Sequence, residues 1–203
     1  MDVKKICEEA VRYKFAAVCI PPSLVTVARA ALSVAAEPLV ATVIGFPFGY
    51  SVLKAKLAET EQALIDGAGE LDVVINLTAL RNNDWLYLEK EMRPIVDLTH
   101  AQGKVVKVII ESGILTDEEI IHCCELYGSL DVDFVKTSTG YAEKGATVEA
   151  VRLMRQHLPE TIKIKASGGI RTYDFARQLI EAGADRLGSS AGVEIAKTQL
   201  NLT

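Results

Sequence analysis

The sequence predicts an α/β fold built from parallel strands, because short apolar segments alternate with amphipathic helices along all 203 residues. Seven strands can be read, which fits an open, doubly wound sheet or a closed (β/α)8 TIM barrel. Four charged residues lie within or near the ends of these segments: Asp72, Lys107, Lys136 and Lys165. Apolar helices cover both faces of an open sheet, whereas charges can meet in a barrel's mouth, at the carboxyl ends of its strands. We therefore favour a single barrel domain over residues 1–203.

The N-terminal half of the chain begins with a predicted helix, because apolar residues recur at helical spacing over residues 3–11. Ser23 follows two prolines and is the expected N-cap of a second helix, which ends at Leu32. A third helix covers residues 53–66, and Gly67 occupies the position that ends helices. The predicted strands of this half are residues 16–20, 40–46 and 70–76.

The C-terminal half continues the same alternation. An apolar stripe over residues 85–96 predicts a helix. Thr116 and Glu119 have the spacing of a capping box, which predicts the start of the next helix. Two further helices are expected to begin at Thr147 and Thr172. The predicted strands of this half are residues 105–111, 133–138, 163–167 and 186–190.

The composition excludes several classes of protein. With 49% hydrophobic residues and a net charge of −5, the chain is neither disordered nor a general nucleic-acid binder, which needs a basic face. The uncharged stretch over residues 38–52 contains Gly45, Pro47 and Gly49 and is too short to cross a bilayer. The charged N-terminus is unlike a signal peptide. We expect a cytoplasmic protein whose four cysteines are reduced, buried thiols: Cys7, Cys19, Cys123 and Cys124.

Two lysines on consecutive predicted strands carry the main chemical signal. Lys136 lies in the segment DFVKTSTG and Lys165 in the segment KIKASGG. Two positive charges ~5 Å apart repel by ~3 kcal/mol at an effective dielectric constant of ~20. Such repulsion lowers the pKa of a lysine, so that part of it is neutral and able to form a Schiff base with a carbonyl. The alternative is that each lysine snorkels at a strand end.

Asp72 is the second signal, because its neighbours from Leu71 to Ile75 are otherwise apolar. A carboxylate beside cationic lysines stays ionised and can transfer protons through water. It can equally form a structural ion pair with Lys107 or Lys165. The two interpretations are compatible, and both stay open.

Glycine-containing turns follow the last two predicted strands. Barrel enzymes often bind phosphate at these turns, where glycine lets backbone N–H groups approach the anion. Hydroxyl groups and an arginine are also available there. The residues of these turns that we predict to bind phosphate are Gly168, Gly169, Arg171, Gly188, Ser189 and Ser190.

Other kinds of site fit less well. His100, His122 and His157 fall in predicted helices without the spacing of metal ligands, so no metal is expected. The sequence contains no G-x-S-x-G, Walker A or G-x-G-x-x-G motif, and nothing in it indicates a flavin, a nicotinamide or another cofactor. Cys19 ends a strand segment and could line a pocket, although a buried structural thiol is favoured.

Six segments together resemble the deoxyribose-phosphate aldolase family. They occur in order between Phe15 and Val193 and are VIGFPFG (43–49), ELDVVIN (70–76), KVIIE (107–111), DFVKTSTG (133–140), KASGGIR (165–171) and GSSAGV (188–193). The pair KTSTG and KASGGIR is much more specific than any glycine motif alone. The resemblance implies a (β/α)8 barrel and a class I aldolase of deoxyribonucleotide catabolism, which cleaves 2-deoxy-D-ribose 5-phosphate reversibly without a metal.

The resemblance also implies roles for individual residues. Lys136 corresponds to the Schiff-base lysine, Lys165 to the second lysine, and Asp72 to the proton donor and acceptor. Lys107 matches a family lysine near the proton relay, and Cys19 matches a pocket-lining cysteine. The ligand is a phosphorylated sugar, and the protein is expected to be a homo-oligomer, a dimer or tetramer, with neither nucleic acid nor a membrane as partner. Positions that match the phosphate side are Thr137, Gly140, Gly168, Gly169, Gly188, Ser189 and Ser190.

The sequence departs from the family pattern at both ends. Family members have a strand of the D-H-T-x-L type before the first helix, and that strand and its aspartate are absent here. We expect seven of eight strands, with the gap filled by the tail or a partner subunit unless the start is misassigned or trimmed. The tail KTQLNLT lacks the tyrosine that ends some members. Two alternatives therefore stay open: a transaldolase-like enzyme and a truncated, inactive barrel that only binds sugar phosphates.

Overall fold

A computed structural model describes residues 2–32 and 37–202 of the chain. The chain forms two compact units, one that ends at Val106 and one that begins at Lys107. In the described ranges seven strands alternate with helices, as the sequence predicts. The strands are β1 (Ala17–Ile20), β2 (Leu39–Ile44), β3 (Glu70–Val74), β4 (Val105–Ile109), β5 (Phe134–Lys136), β6 (Lys163–Ser167) and β7 (Arg186–Gly188).

The helices follow the strands in the order expected for parallel α/β units. Two short 3-10 helices, Pro22–Leu24 and Ser112–Ile114, lie after β1 and β4. The α-helices are α1 (Val3–Arg12), α2 (Val25–Leu32), α3 (Leu53–Ile65), α4 (Leu77–Arg81), α5 (Trp85–Ala101), α6 (Asp117–Ser129), α7 (Val148–His157), α8 (Tyr173–Glu181) and α9 (Gly192–Leu202).

Strands β1, β2 and β3 of the N-terminal unit are parallel neighbours. Cys19 is in register with Ala41, and Val43 is in register with Asp72. All five residues of β3 are buried, which is typical of a parallel strand with side chains covered on both faces. Asp72 is therefore held inside the protein, between the buried residues Leu71 and Val73 of the same strand.

The C-terminal unit contains the parallel strand pairs β4–β5, β5–β6 and β6–β7. Their register aligns one residue from each strand: Ile109 with Lys136, Lys136 with Lys165, and Lys165 with Arg186. Side chains of residues in register on parallel strands lie on the same face of the sheet. The two lysines of the predicted site are thus neighbours across β5 and β6.

Most predicted helix starts are confirmed. Thr116 and Glu119 form the capping box of α6, and the side chains of Thr147 and Thr172 cap α7 and α8. The prediction for Ser23 was wrong, because Ser23 lies inside the first 3-10 helix and makes no cap. The fixed φ angles of Pro21 and Pro22 start the helical turn two residues earlier, with Pro21 at the N-cap position.

Two helices were not predicted. Helix α4 is a short turn after β3, and the Asn76 side chain caps it by accepting a hydrogen bond from the N–H of Ala79 at 3.0 Å. Its sequence continues the apolar run of β3, so the periodicity gives no separate signal. Helix α9 occupies the segment that was expected to be a tail.

A buried ion pair joins two helices of the N-terminal unit. The Nζ of Lys56 on α3 lies 2.8 Å from the Oε2 of Glu91 on α5, and it donates a hydrogen bond to the carbonyl of Val74 at 2.8 Å. Neither side chain is more than 1% exposed. Burial raises the pKa of Glu91 and lowers that of Lys56, since both charges have left water. The pair therefore fixes the end of β3 relative to two helices.

We predict that Lys56→Met destabilises the protein by about 3–5 kcal/mol, because it leaves the Glu91 carboxylate buried without its cation. Lys56→Met combined with Glu91→Leu is expected to restore most of this loss, since it removes both charges. Lys54→Met, at an exposed position of the same helix, is the control. Guanidinium unfolding gives the free energies. A double variant no more stable than Lys56→Met would contradict the prediction.

Candidate active site

Lys136 and Lys165 form the centre of the candidate site. Lys136 ends β5, Lys165 lies in the middle of β6, and the two are in register. Neighbouring strands are about 4.8 Å apart, so the side chains leave the sheet side by side. Each lysine is only 5% exposed, so neither is turned toward bulk solvent. The two buried lysines therefore start from neighbouring positions on the same face of the sheet.

A second group of cations lies around Phe134, two residues before Lys136 on the same face of β5. The centre of its ring is 5.8 Å from the Nζ of Lys107, 5.7 Å from the Nζ of Lys163 and 5.1 Å from the Cζ of Arg186. An aromatic face attracts cations, so the ring offsets some of their mutual repulsion. We call Phe134 and the three cationic residues around its ring the cation layer. Three cations therefore lie around the residue that precedes Lys136 by two positions on β5.

Three members of the cation layer were not predicted from the sequence: Phe134, Lys163 and Arg186. A signal for them existed, because Phe134 and Lys163 precede the two site lysines by two residues, the repeat of a β-strand. Arg186 could be found only from the register of β7 with β6. Lys107 was identified, and the structure places it in β4, fully buried.

A hydroxyl network fastens β5 to β6 beyond the lysines. Thr137 Oγ1 donates to the carbonyl of Ser167 at 3.1 Å and accepts from the N–H of Ser167 at 3.0 Å. Ser138 Oγ donates to Thr137 Oγ1 at 3.1 Å, and Ser167 Oγ donates to the carbonyl of Ser138 at 2.6 Å. All three residues are buried, so these bonds satisfy groups that water cannot reach. Thr137 therefore joins β5 to β6 through the backbone of Ser167.

The turn after β6 depends on two consecutive glycines with left-handed backbones, Gly168 (φ 87°) and Gly169 (φ 77°). A Cβ at Gly168 would lie 2.9 Å from the Cα of Gly145 and 3.3 Å from the Cβ of Ser138. The N–H of Ala146 donates to the carbonyls of Ser167 and Gly168. By contrast, no described atom lies within 4 Å of a Cβ built at Gly169, which leaves open space for a ligand there.

Gly188, the last residue of β7, packs against Lys165. A Cβ at Gly188 would lie 3.2 Å from the Cε of Lys165 and 3.1 Å from the Cβ of Ser167, so the missing side chain leaves room for the lysine. Ser189 Oγ donates to the carbonyl of Ile170 at 2.6 Å and accepts from the N–H of Ala191 at 2.9 Å. That hydroxyl connects the two glycine turns. Ser190, Gly140 and Arg171 are exposed at the surface.

Asp72 and Cys19 belong to the N-terminal unit. Asp72 is fully buried in β3, as its apolar neighbours suggest. Cys19 is exposed, so the favoured prediction of a buried thiol was wrong for this residue. The reason is that, in the described part of the chain, β1 has a single neighbouring strand, which leaves one side of it uncovered.

The other three cysteines are buried as predicted. Burial raises the pKa of the Cys124 thiol to about 12 and raises that of Cys123 further. His100, His122 and His157 lie on helices and are exposed. Within residues 2–32 and 37–202, no three His, Cys, Asp or Glu side chains cluster as metal ligands would. In the same ranges no helix is both long and apolar enough to span a bilayer.

Sequence comparison decides the family. A family model described as "DeoC/LacD family aldolase" matches residues 1–199. The chain belongs to this family of aldolases. It is 48% identical over 201 residues to a protein of Thermococcus gammatolerans named deoxyribose-phosphate aldolase, covering 98% of this chain and 89% of the relative. A protein of the same name from Caldicellulosiruptor saccharolyticus is 47% identical over 196 residues, covering 96% of this chain and 88% of the relative. The chain is thus an enzyme, an aldolase.

Solved structures agree with this assignment and confirm the barrel fold class. A structure named "QR15, an Aldolase" has a TM-score of 0.92 at 38% identity, covering 98% of this chain and 88% of the other. A structure from Aeropyrum pernix, described as a unique tetrameric structure of deoxyribose phosphate aldolase, has a TM-score of 0.88 at 32% identity. That comparison covers 100% of this chain and 85% of the other.

The two glycines after β6 provide a matched test of this turn. We expect Gly169→Ala to cost about 1 kcal/mol, the usual cost of a left-handed alanine. Gly168→Ala should cost about 1–3 kcal/mol more, because its methyl group overlaps the backbone of Gly145. Urea unfolding of both variants measures the difference. Equal losses of stability in the two variants would mean that the nearby backbone of Gly145 is not the reason for a glycine at position 168.

Proposed function

We propose that this aldolase reversibly cleaves 2-deoxy-D-ribose 5-phosphate to D-glyceraldehyde 3-phosphate and acetaldehyde, through a Schiff base on Lys136. The observation that carries the proposal is the buried, in-register pair of Lys136 and Lys165. The names of the relatives support the choice of substrate. We also propose that residues 1–203 act as one catalytic domain.

The first step is attack by the neutral amine of Lys136 on the C1 aldehyde of the open-chain sugar. The repulsion from Lys165 and from the cation layer keeps a fraction of this amine unprotonated. Loss of water from the adduct gives an iminium ion, and its positive nitrogen accepts the electron pair when the bond between C2 and C3 breaks. Because Lys165 stays charged, it can also orient water or substrate oxygens by donating hydrogen bonds.

Bond cleavage requires a base that removes the proton of the C3 hydroxyl. The family motif gives this role to Asp72, acting with Lys165 and water, and it puts Lys107 near the same relay. D-Glyceraldehyde 3-phosphate then leaves, and the enamine that remains on Lys136 is protonated at carbon. Hydrolysis of the resulting iminium releases acetaldehyde and regenerates the free amine. The complete burial of Asp72 in β3 supports a role that needs a fixed carboxylate.

The phosphate group is proposed to bind at the glycine turns after β6 and β7, with the loop after β5 beside them. The open space at Gly169 and the exposed Arg171 support this assignment. Binding energy from the phosphate would hold the reacting carbons next to Lys136. Gly168 and Gly188 contribute by close packing, and Ser190 offers a hydroxyl. The Cys19 thiol is proposed to line the substrate pocket.

We further propose a cytoplasmic homo-oligomer, a dimer or tetramer, whose ligand is a small phosphorylated sugar. The similar structure from Aeropyrum pernix is described as tetrameric, and this supports an assembled enzyme. Neither a nucleic acid nor a membrane is proposed as a partner, in keeping with the net charge of −5.

The decisive experiment is chemical trapping of the Schiff base. We expect acetaldehyde with borohydride to add one ethyl group to the peptide that contains Lys136, because reduction fixes the iminium. Lys136→Ala should show no such adduct and no cleavage of 2-deoxyribose 5-phosphate. Lys104→Ala, at an exposed position before β4, is the control. Mass spectrometry of the digested protein and an assay of acetaldehyde release give the two readouts.

Two other results would contradict this function. Trapping only with larger ketoses would indicate a transaldolase-like enzyme. A protein that unfolds cooperatively yet neither forms the adduct nor cleaves the sugar phosphate would be a barrel without this activity.

A further inference from the structure

Glu111 has a backbone conformation that its residue type disfavours. It is the second residue after β4, with φ 58° and ψ 52°, in the left-handed region. A residue with a Cβ loses about 1–2 kcal/mol in this region, and glycine avoids the loss. Glutamate at this position is therefore not explained by the turn itself. Its side chain must provide an interaction that a glycine cannot.

The side chain of Glu111 makes that interaction with Thr139, in the loop that follows Lys136. The N–H of Thr139 lies 3.2 Å from Oε2 and 3.3 Å from Oε1 of Glu111, and Thr139 Oγ1 donates a short hydrogen bond to Oε2. The N–H of Tyr141 in turn donates to Thr139 Oγ1 at 3.1 Å. Glu111 is 2% exposed, so little water competes for its carboxylate.

The backbone around Glu111 aims it at this loop. The N–H of Ile110 donates to the carbonyl of Lys136 at 3.0 Å, and the N–H of Ser112 donates to the carbonyl of Thr137 at 2.7 Å. Between these two hydrogen bonds the donor moves forward by two residues after β4, whereas the acceptor moves forward by only one residue after β5. One extra residue on one of two paired strands defines a β-bulge. The bulged residue is Glu111, and bulges often redirect one side chain beside a functional site.

Lys136 itself is held by different contacts. The N–H of Thr137 donates to the carbonyl of Lys165 at 3.0 Å, and the hydroxyl network fastens Thr137 and Ser138 to Ser167. These bonds end at Ser138. Beyond this point Thr139 is half-buried and Gly140 is exposed, and the carboxylate of Glu111 restrains the loop through its hydrogen bonds to Thr139.

We propose that Glu111 is a positioning residue that fixes the loop of residues 139–141 for the phosphate end of the substrate. This inference rests on the proposed function, which assigns Gly140 to the phosphate side. Gly140 has φ 91°, and no described atom lies within 4 Å of a Cβ built on it, so its backbone is open to a ligand. Without Glu111, Thr139 would lose these hydrogen bonds while the contacts that hold Lys136 stayed in place.

The test compares cleavage of the phosphorylated sugar with two reactions whose substrates carry no phosphate group. For Glu111→Ala we expect KM for 2-deoxyribose 5-phosphate to rise at least tenfold. Cleavage of unphosphorylated 2-deoxyribose, and borohydride trapping of acetaldehyde on Lys136, should change less than twofold. Thr139→Val should also raise this KM, but by a smaller factor. It removes the hydroxyl that donates to Glu111 and keeps the backbone N–H that donates to the same carboxylate. Glu118→Ala, an exposed glutamate of α6, is the control.

A second variant separates positioning from folding. Glu111→Gly also removes the carboxylate but relieves the left-handed strain, so it should unfold at a higher temperature than Glu111→Ala and have the same raised KM. Glu111→Gln keeps an acceptor oxygen and should recover part of the affinity.

Equal losses with and without phosphate, or an unchanged KM, would overturn the role of Glu111. Recovery of the wild-type KM in Glu111→Gly would do the same, since strain relief alone would then account for the defect. A wild-type protein that cleaves neither sugar would instead contradict the proposed function, and this inference with it.

Discussion

The placement of two lysine side chains next to each other on β5 and β6 constrains the rest of the C-terminal unit. Lys136 and Lys165 are in register and almost fully buried, although like charges repel and buried charges lose hydration. Several neighbours make this arrangement possible. Gly188 leaves space for the stem of Lys165, and the ring of Phe134 attracts the further cations that lie near it. The repulsion that remains is what the proposed Schiff base on Lys136 would use.

Polar contacts help to hold the loops that follow these strands. Thr137, Ser138 and Ser167 bond to one another and to backbone groups, and Ser189 connects the two glycine turns. Hydrogen bonds of this kind set positions more narrowly than apolar contacts, because they depend on direction. In the candidate site the lysines thus lie on hydrogen-bonded strands. The turns beyond these strands leave free space beside the backbone of Gly140 and Gly169.

Local sequence patterns predicted the elements and the lysine pair but not the contacts between distant segments. Strand periodicity located β6 at its observed residues, and Thr116, Thr147 and Thr172 marked real helix starts. Arg186 of the cation layer could not be predicted without the register of β7 with β6. The link between Glu111 and Thr139 depends on a left-handed backbone that glutamate rarely adopts. The burial of Cys19 was mispredicted because the sequence of a strand does not show how many other strands lie beside it.

The most direct measurement is the titration of the Lys136 amine, followed by NMR of 15N-labelled lysine side chains. Lys136→Ala identifies the signal. The pKa of Lys136 should lie below the ordinary lysine value, because protonation places a second charge beside Lys165. In Lys165→Met it should rise, and the activity profile should move to higher pH with it. An ordinary value in the wild-type protein, or one that Lys165→Met leaves unchanged, would contradict the tuning of one lysine by the other.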